Sequence, residues 1–346
     1  MSQRWAMAVR VGFTYIGTVV GAGFASGQEI MQFFTVYGKG GMWAIIAVSV
    51  LFAWLGTRMM IMGARLQAES YEELNDHLFG MRWGKWMSRF VGVVLFGVTT
   101  AMMSGTGALF EEQLGLSFHL GVGLTSIMAF LVIVRGMEGI LSVNTLVVPL
   151  MFLFTVLVGI TGWQSGGLEG LFQLQAVAAE GHWSISALTY VAFNLAMSQA
   201  VLVPLGNEVT DEKVLRLGGW MGGIVLGIML LTSNFALAMH SPQVYQLEIP
   251  IALVIEALGE GMKIFFLAVM WGEIFTTLIG NVYGLAANLH QMTRLRMNTL
   301  MMLIFILGYG FSLIGFPALV GYVYPLFGYC GIGVLLLLII RRYPAH

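Results

Sequence analysis

Apolar residues run through this chain in long blocks separated by short polar stretches. Ten blocks stand out, at 8–36, 41–63, 88–112, 118–135, 140–162, 185–206, 216–239, 262–287, 297–314 and 318–340. Each comes close to or exceeds the length of about 20 residues that a helix needs to cross a bilayer. The longest connectors, such as 64–87 and 163–184, leave no room for a soluble domain. The pattern predicts an all-α integral membrane protein of ten transmembrane helices, with residues 1–346 forming a single transmembrane domain.

The first block is interrupted by "VVGAGFASGQE" (19–29), three glycines and a serine ending on a carboxylate. Unwound backbone inside a membrane leaves N–H and C=O groups unpaired, so it survives only where protein or a water-lined cavity satisfies them. Glycine eases such a break. The freed carbonyls can hold a cation, and the following half-helix can turn its N-terminus toward an anionic group. The competing reading is close helix packing, since Gly17 and Gly21, like Gly23 and Gly27, form small-xxx-small pairs.

A polar interruption, "FNLAMSQ" (193–199), recurs in the sixth block, about half a chain later. At a similar offset, "ESYEELNDHLFG" (69–80) matches "SPQVYQLEIPIALVIEALGE" (241–260), and both suit short amphipathic helices. An odd number of spans per half puts equivalent loops on opposite sides. The spacing predicts an inverted repeat of five plus five helices, about 5–165 and 183–340, with helices 1 and 6 discontinuous.

Composition agrees with the membrane reading. Of 346 residues, 58% are hydrophobic and 10% charged, against roughly 25% charged in soluble domains. A net charge of −1 gives no hint of nucleic-acid binding, and Cys330, the single cysteine, excludes a disulfide framework. Charge also tests the map. With the N-terminus cytoplasmic, 14 lysines and arginines fall inside, and only Lys39 and Lys263 fall outside. That asymmetry obeys the positive-inside rule and predicts a bacterial inner membrane protein with both termini cytoplasmic. A cleaved signal peptide ending at "GFASG" fits less well, because its core would contain Thr14, Tyr15, Gly17 and Thr18. The six histidines lie in loops or near span ends, and no phosphate loop or metal motif occurs, so no enzyme is expected.

The runs "GTVVGAGFASGQEIMQFF" and "TAMMSGTGALFEEQLG" (100–115) resemble the YkvI-type family of bacterial membrane proteins. That family looks like a compact branch of the amino acid–polyamine–organocation superfamily, whose members share the LeuT-type fold. The resemblance implies alternating access, with substrate held between the broken helices 1 and 6 and helices 3 and 8. It also implies a candidate sodium site at the carbonyls of Gly17 and Val20 and the hydroxyls of Thr276 and Thr277, hard oxygen ligands suited to a small cation. Against this, helix threonines can bond back to their own helix.

The expected function is secondary active transport of a small solute, an amino acid or related amine, coupled to sodium or protons. The alternative is a nutrient sensor that binds a small ligand without net transport. No cofactor beyond the sodium ion is expected, and the working unit is a monomer in the lipid bilayer. For the substrate, Ala22, Gly23 and Phe24 offer backbone N–H groups at the break. Asn194 and Ser198 mark helix 6, and Thr100 and Ser104 mark helix 3. Each of these can equally be an interhelical hydrogen bond.

Two carboxylates stand apart. Glu273 departs from the family pattern, which has a small residue there. Counting from Lys263 at about 1.5 Å per residue puts it some 15 Å deep, where an ionised carboxylate needs a cationic partner or takes up a proton. Every lysine and arginine lies at a span end or in a loop. Glu29, just past the break, is either a gate residue or part of an exposed rim.

Overall fold

Long apolar runs have one way to satisfy their own backbone in lipid as single segments, the α-helix. The computed structural model describes residues 3–173, 182–247, 249–256, 259–313, 328 and 331–344, and every regular element among them is helical. α1 (Gln3–Val19) gives way to two short helices, α2 (Ala22–Ser26) and α3 (Gln28–Phe33). α4 (Lys39–Leu51) passes through a π-helical turn at Phe52–Gly56 into α5 (Thr57–Leu66). The connector helix α6 (Tyr71–Phe79) precedes α7 (Met81–Ala108), which continues to Gln113, and α8 (Phe118–Ile133). α9 (Met137–Gln173) carries a backbone break at Gly167. Then come α10 (Trp183–Val209), α11 (Glu212–Met239), α12 (Pro250–Glu256), α13 (Glu260–Thr293), α14 (Met297–Ser312) and α15 (Gly331–Ile340).

Among the described residues, 6 helices are long and apolar enough to cross a membrane: Lys39–Leu66, Met81–Gln113, Met137–Gly167, Trp183–Val209, Glu212–Met239 and Gly261–Thr293. α8, α14 and α15 are shorter apolar helices. The predicted tenth span, 318–340, lies outside the described residues except for 328 and 331–340. α7 begins well before the predicted 88 because Arg82, Lys85 and Arg89 end an apolar count without ending a helix. The exposed Trp83 and Trp86 suit that first stretch to the membrane interface.

Burial separates inner from outer helices. α10 is 89% buried along its apolar window and α9 only 33%, so α10 is central and α9 faces lipid along much of its length. α1 lies inside as well. Its Gly12 meets the Gly218 backbone of α11, and the Tyr15 hydroxyl donates to the Phe52 carbonyl at the π-helical turn (2.7 Å). α6 is held by a capping box at Ser70 and Glu73. It docks on the end of α13 through Ser70 with Gln291 (2.6 Å) and Asn288 with Glu72 (3.4 Å).

The expected break in the sixth span is not formed. α10 runs unbroken from Trp183 to Val209. Asn194 donates to the Tyr190 carbonyl (3.0 Å), Ser198 to Asn194 (2.6 Å) and Gln199 to Ala196 (2.7 Å). Asn194 and Ser198 bond back to their own helix without opening the ladder, while Gln199 Oε1 is buried without a hydrogen-bond partner. No glycine lies between Trp183 and Leu205 to favour opening it.

Candidate functional site

The interruption between α1 and α2 comes from local backbone preferences. The last ladder bond of α1 joins the Val20 N–H to the Ile16 carbonyl (2.8 Å). Gly21 is extended, and the chain coils again with the Phe24 and Ala25 N–H groups on the Gly21 carbonyl (2.9 and 3.1 Å). Gly27, at φ 82°, ends this short turn in the left-handed region that glycine enters without strain. Helix ends leave carbonyls and amides without ladder partners, so the last carbonyls of α1 and the first amides of α2 are released at one place. Ala22, Gly23 and Phe24 are all buried there. The Phe24 amide is already engaged with Gly21, leaving the Ala22 and Gly23 amides as the candidates for an anionic group.

One oxygen-rich corner forms where α1 meets α13. The Thr277 hydroxyl donates to the Val20 carbonyl (3.3 Å), and a β-carbon on Gly21 would stand 3.1 Å from that hydroxyl. Thr276 instead donates to the Glu273 carbonyl of its own helix (3.0 Å), keeping its oxygen lone pairs but spending its proton. Gly17, one turn earlier on α1, packs against Asn144 of α9, which occupies the space a side chain would take.

Both carboxylates are buried beside the short turn. Glu273 is 2% exposed, and its Oε2 has no hydrogen-bond partner. Glu29 is near enough for two negative charges there to repel. Glu29 is 5% exposed, which removes the exposed-rim reading. Its carboxylate folds back over Gly23, where a β-carbon would stand 2.6 Å from Glu29 Cδ. The short helices α2 and α3 turn the chain inward, so a residue that counts as shallow along the sequence is enclosed.

The other expected lining residues are less convergent. Thr100 is buried, donates to the Gly97 carbonyl (2.7 Å) and places its methyl beside Gly308 of α14. Ser104 is buried on the same helix, and Asn194 and Ser198 are bonded within α10. Sequence reasoning passed over three polar residues of the interior. Thr14 Oγ1, Asn144 Oδ1 and Asn281 Nδ2 are all buried without a hydrogen-bond partner. The available signal was an amide or hydroxyl in the middle of an apolar run. Among the described residues, no group of three His, Cys, Asp or Glu side chains could hold a metal ion.

No family model matches the chain, but individual proteins do. The Bacillus subtilis protein named as uncharacterized membrane protein YkvI is 38% identical over 99% of both chains. Among solved structures, a Na+-coupled sialic acid symporter aligns with a TM-score of 0.69 at 14% identity, covering 96% of this chain and 79% of its own. Mhp1, a nucleobase-cation-symport-1 family transporter, aligns at 0.64 and 12% identity, covering 87% and 70%. MhsT, solved in complex with L-phenylalanine, aligns at 0.62 and 13% identity, covering 99% and 88%. The shared architecture is the LeuT-type transporter fold, and these neighbours are transporters rather than enzymes.

Proposed function

From the premise that this chain belongs to the family of the Bacillus subtilis membrane protein YkvI, we propose that it is a secondary active transporter of a small solute. It works by alternating access as a monomer, a ten-helix, five-plus-five inverted repeat of the amino acid–polyamine–organocation type. It sits in the bacterial inner membrane with both termini cytoplasmic. The solute is an amino acid or related amine, held at the α1–α2 interruption by the Ala22 and Gly23 amides and by the Glu273 carboxylate, with Glu29 as gate. Sodium binds at the carbonyls of Gly17 and Val20 and the hydroxyls of Thr276 and Thr277.

One observation carries this reading: the helix ends where its released Val20 carbonyl meets Thr277, across two helices and inside the protein. A purely structural glycine cluster has no need to aim a freed carbonyl at a hydroxyl of a neighbouring helix. The residues fit a small hard cation, because the corner offers oxygen and no sulfur or imidazole. That a fold neighbour is a Na+-coupled symporter and another was solved with an amino acid supports the choice of ion and solute.

The test is a ligand screen on purified protein. Amino acids and amines are scored by thermal stabilisation in sodium chloride and in choline chloride, because a ligand that binds the folded state raises the melting temperature by mass action. The expected result is a hit whose stabilisation grows with sodium, together with gradient-driven accumulation of that hit in proteoliposomes. A hit that binds but is never accumulated would replace transport by sensing.

A further inference from the structure

Asn144 is 1% exposed and lies in α9, outside the set of residues assigned to the substrate and ion sites. Its Nδ2 donates to the Ile140 carbonyl one turn back (2.8 Å), which fixes the amide and turns Oδ1 away from its own helix. That Oδ1 has no hydrogen-bond partner. A buried acceptor left unpaired is destabilising and calls for an explanation.

Its surroundings supply one. A β-carbon on Gly17 would collide with Asn144 Oδ1 and stand 2.9 Å from Asn144 Cγ and 3.1 Å from Val148 Cγ2. Gly17 therefore admits the amide oxygen directly against α1, at the level of the carbonyls released by the helix end.

The register of three helices brings the threonines to the same place. α1 and α9 run parallel: Arg10 meets Glu138 (2.5 Å) and Gly17 meets Asn144 and Val148. α9 and α13 run antiparallel: Val147 meets Gly272, and seven residues further along α9 Phe154 stacks on Phe266. A β-carbon on Gly272 would stand 2.9 Å from Val147 Cγ1, so the two helices touch closely there. Asn144 lies three residues before Val147 and Thr276 four residues after Gly272. Helical periodicity keeps both on the contacting faces, on the same side of that contact; Asn144 stands against Gly17, and Thr277 against Gly21 one turn further along the chain.

We infer that Asn144 Oδ1 is a further ligand of the cation site at the end of α1, and that its uncharged oxygen helps restrict the site to a monovalent ion. The inference rests on the ion site of the proposed function. Two backbone carbonyls, two hydroxyls and an amide make a hard, neutral donor set. Divalent ions draw their affinity from carboxylates, and affinity follows ligand charge. The bland account is that the amide oxygen only accepts a Cα–H contact from Gly17.

The test uses the full-length purified protein, titrated with sodium chloride against choline chloride at constant ionic strength, with melting temperature as the readout. Thr277→Val serves as the reference loss of an assigned ligand. Asn144→Ala is expected to raise the half-stabilising sodium concentration roughly tenfold or more, the scale of losing a group that supports a metal, with little change in choline. Asn144→Asp, which keeps the oxygen, is expected to retain the sodium response. If the alanine variant does not fold, Asn144→Leu is compared with Asn144→Asp, and loss only in leucine supports the assignment. An alanine or leucine variant that responds like wild type while Thr277→Val has lost its response overturns the role of Asn144 alone. A wild type with no sodium response overturns the ion site and this inference together.

Discussion

Glu273 carries the sharpest consequence at the scale of single residues. A carboxylate 2% exposed, with Glu29 as its charged neighbour and no part in the ion pairs of the described residues, has to meet a cation or a proton. Cation and proton then compete for one group. Binding of a cationic ligand should weaken as pH falls, by at most about tenfold per pH unit when one proton is displaced per ligand. Glu273→Gln removes the competition, so it should fold, bind more weakly and show a flat pH profile in thermal-shift titrations. An unchanged profile in that variant would make Glu273 structural. Glu29 is harder to read from its position in the chain, because its burial depends on α2 and α3 turning it over Gly23.

Close approach of backbones decides how the elements meet. Where α5 crosses α10, a β-carbon on Gly63 would strike the Val203 backbone, and one on Gly206 would strike the Met60 carbonyl. Backbone atoms of two packed helices cannot rotate aside as a side chain can. Gly206→Ala should therefore destabilise by about 1–3 kcal/mol, the usual penalty of overpacking, and lower the melting temperature. Gly310→Ala is the control, because nothing among the described residues lies within 4 Å of a β-carbon there and alanine is the better helix former. Equal melting temperatures for the two variants would reject this account of the crossing. Element types are legible wherever local chemistry decides them. Three glycines within residues 19–29 mark the α1 interruption, and Ser70 with Glu73 spells the capping box of α6. The unbroken α10 is not legible, because polar side chains look alike in sequence whether they line a break or bond back to their own helix.

At the scale of the whole molecule, the C-terminal segment ties the helix ends together. Arg58 donates to the Leu338 carbonyl (2.5 Å) and to the Arg341 carbonyl, and Arg58 and Arg65 lie over the Tyr343 ring at 4.4 and 5.0 Å. Arg341 reaches the Leu78 carbonyl of α6 (3.0 Å), so α5, α6 and the end of the chain share one face. In the proposed topology that face is cytoplasmic, and the inverted repeat puts α12 on the other side. Tags inserted near residue 75 and at the C-terminus should both report the cytoplasm, and a tag near residue 245 the exterior. Finding 75 and 245 on the same side would end the inverted-repeat reading.

Chemistry within a few turns of chain is enough to settle the element types. Long apolar runs must become membrane helices because lipid offers no partner for a bare peptide group. Glycines between them mark where a helix can stop. Tertiary structure decides which interior polar atoms are spent and which are free. Asn194 and Asn144 both donate to their own helix four residues back, and sequence cannot separate them. Only the arrival of α1, with Gly17 leaving room, leaves the Asn144 oxygen buried against that helix without a partner. That outcome depends on the relative register of three helices more than a hundred residues apart in the chain, which no local preference sets.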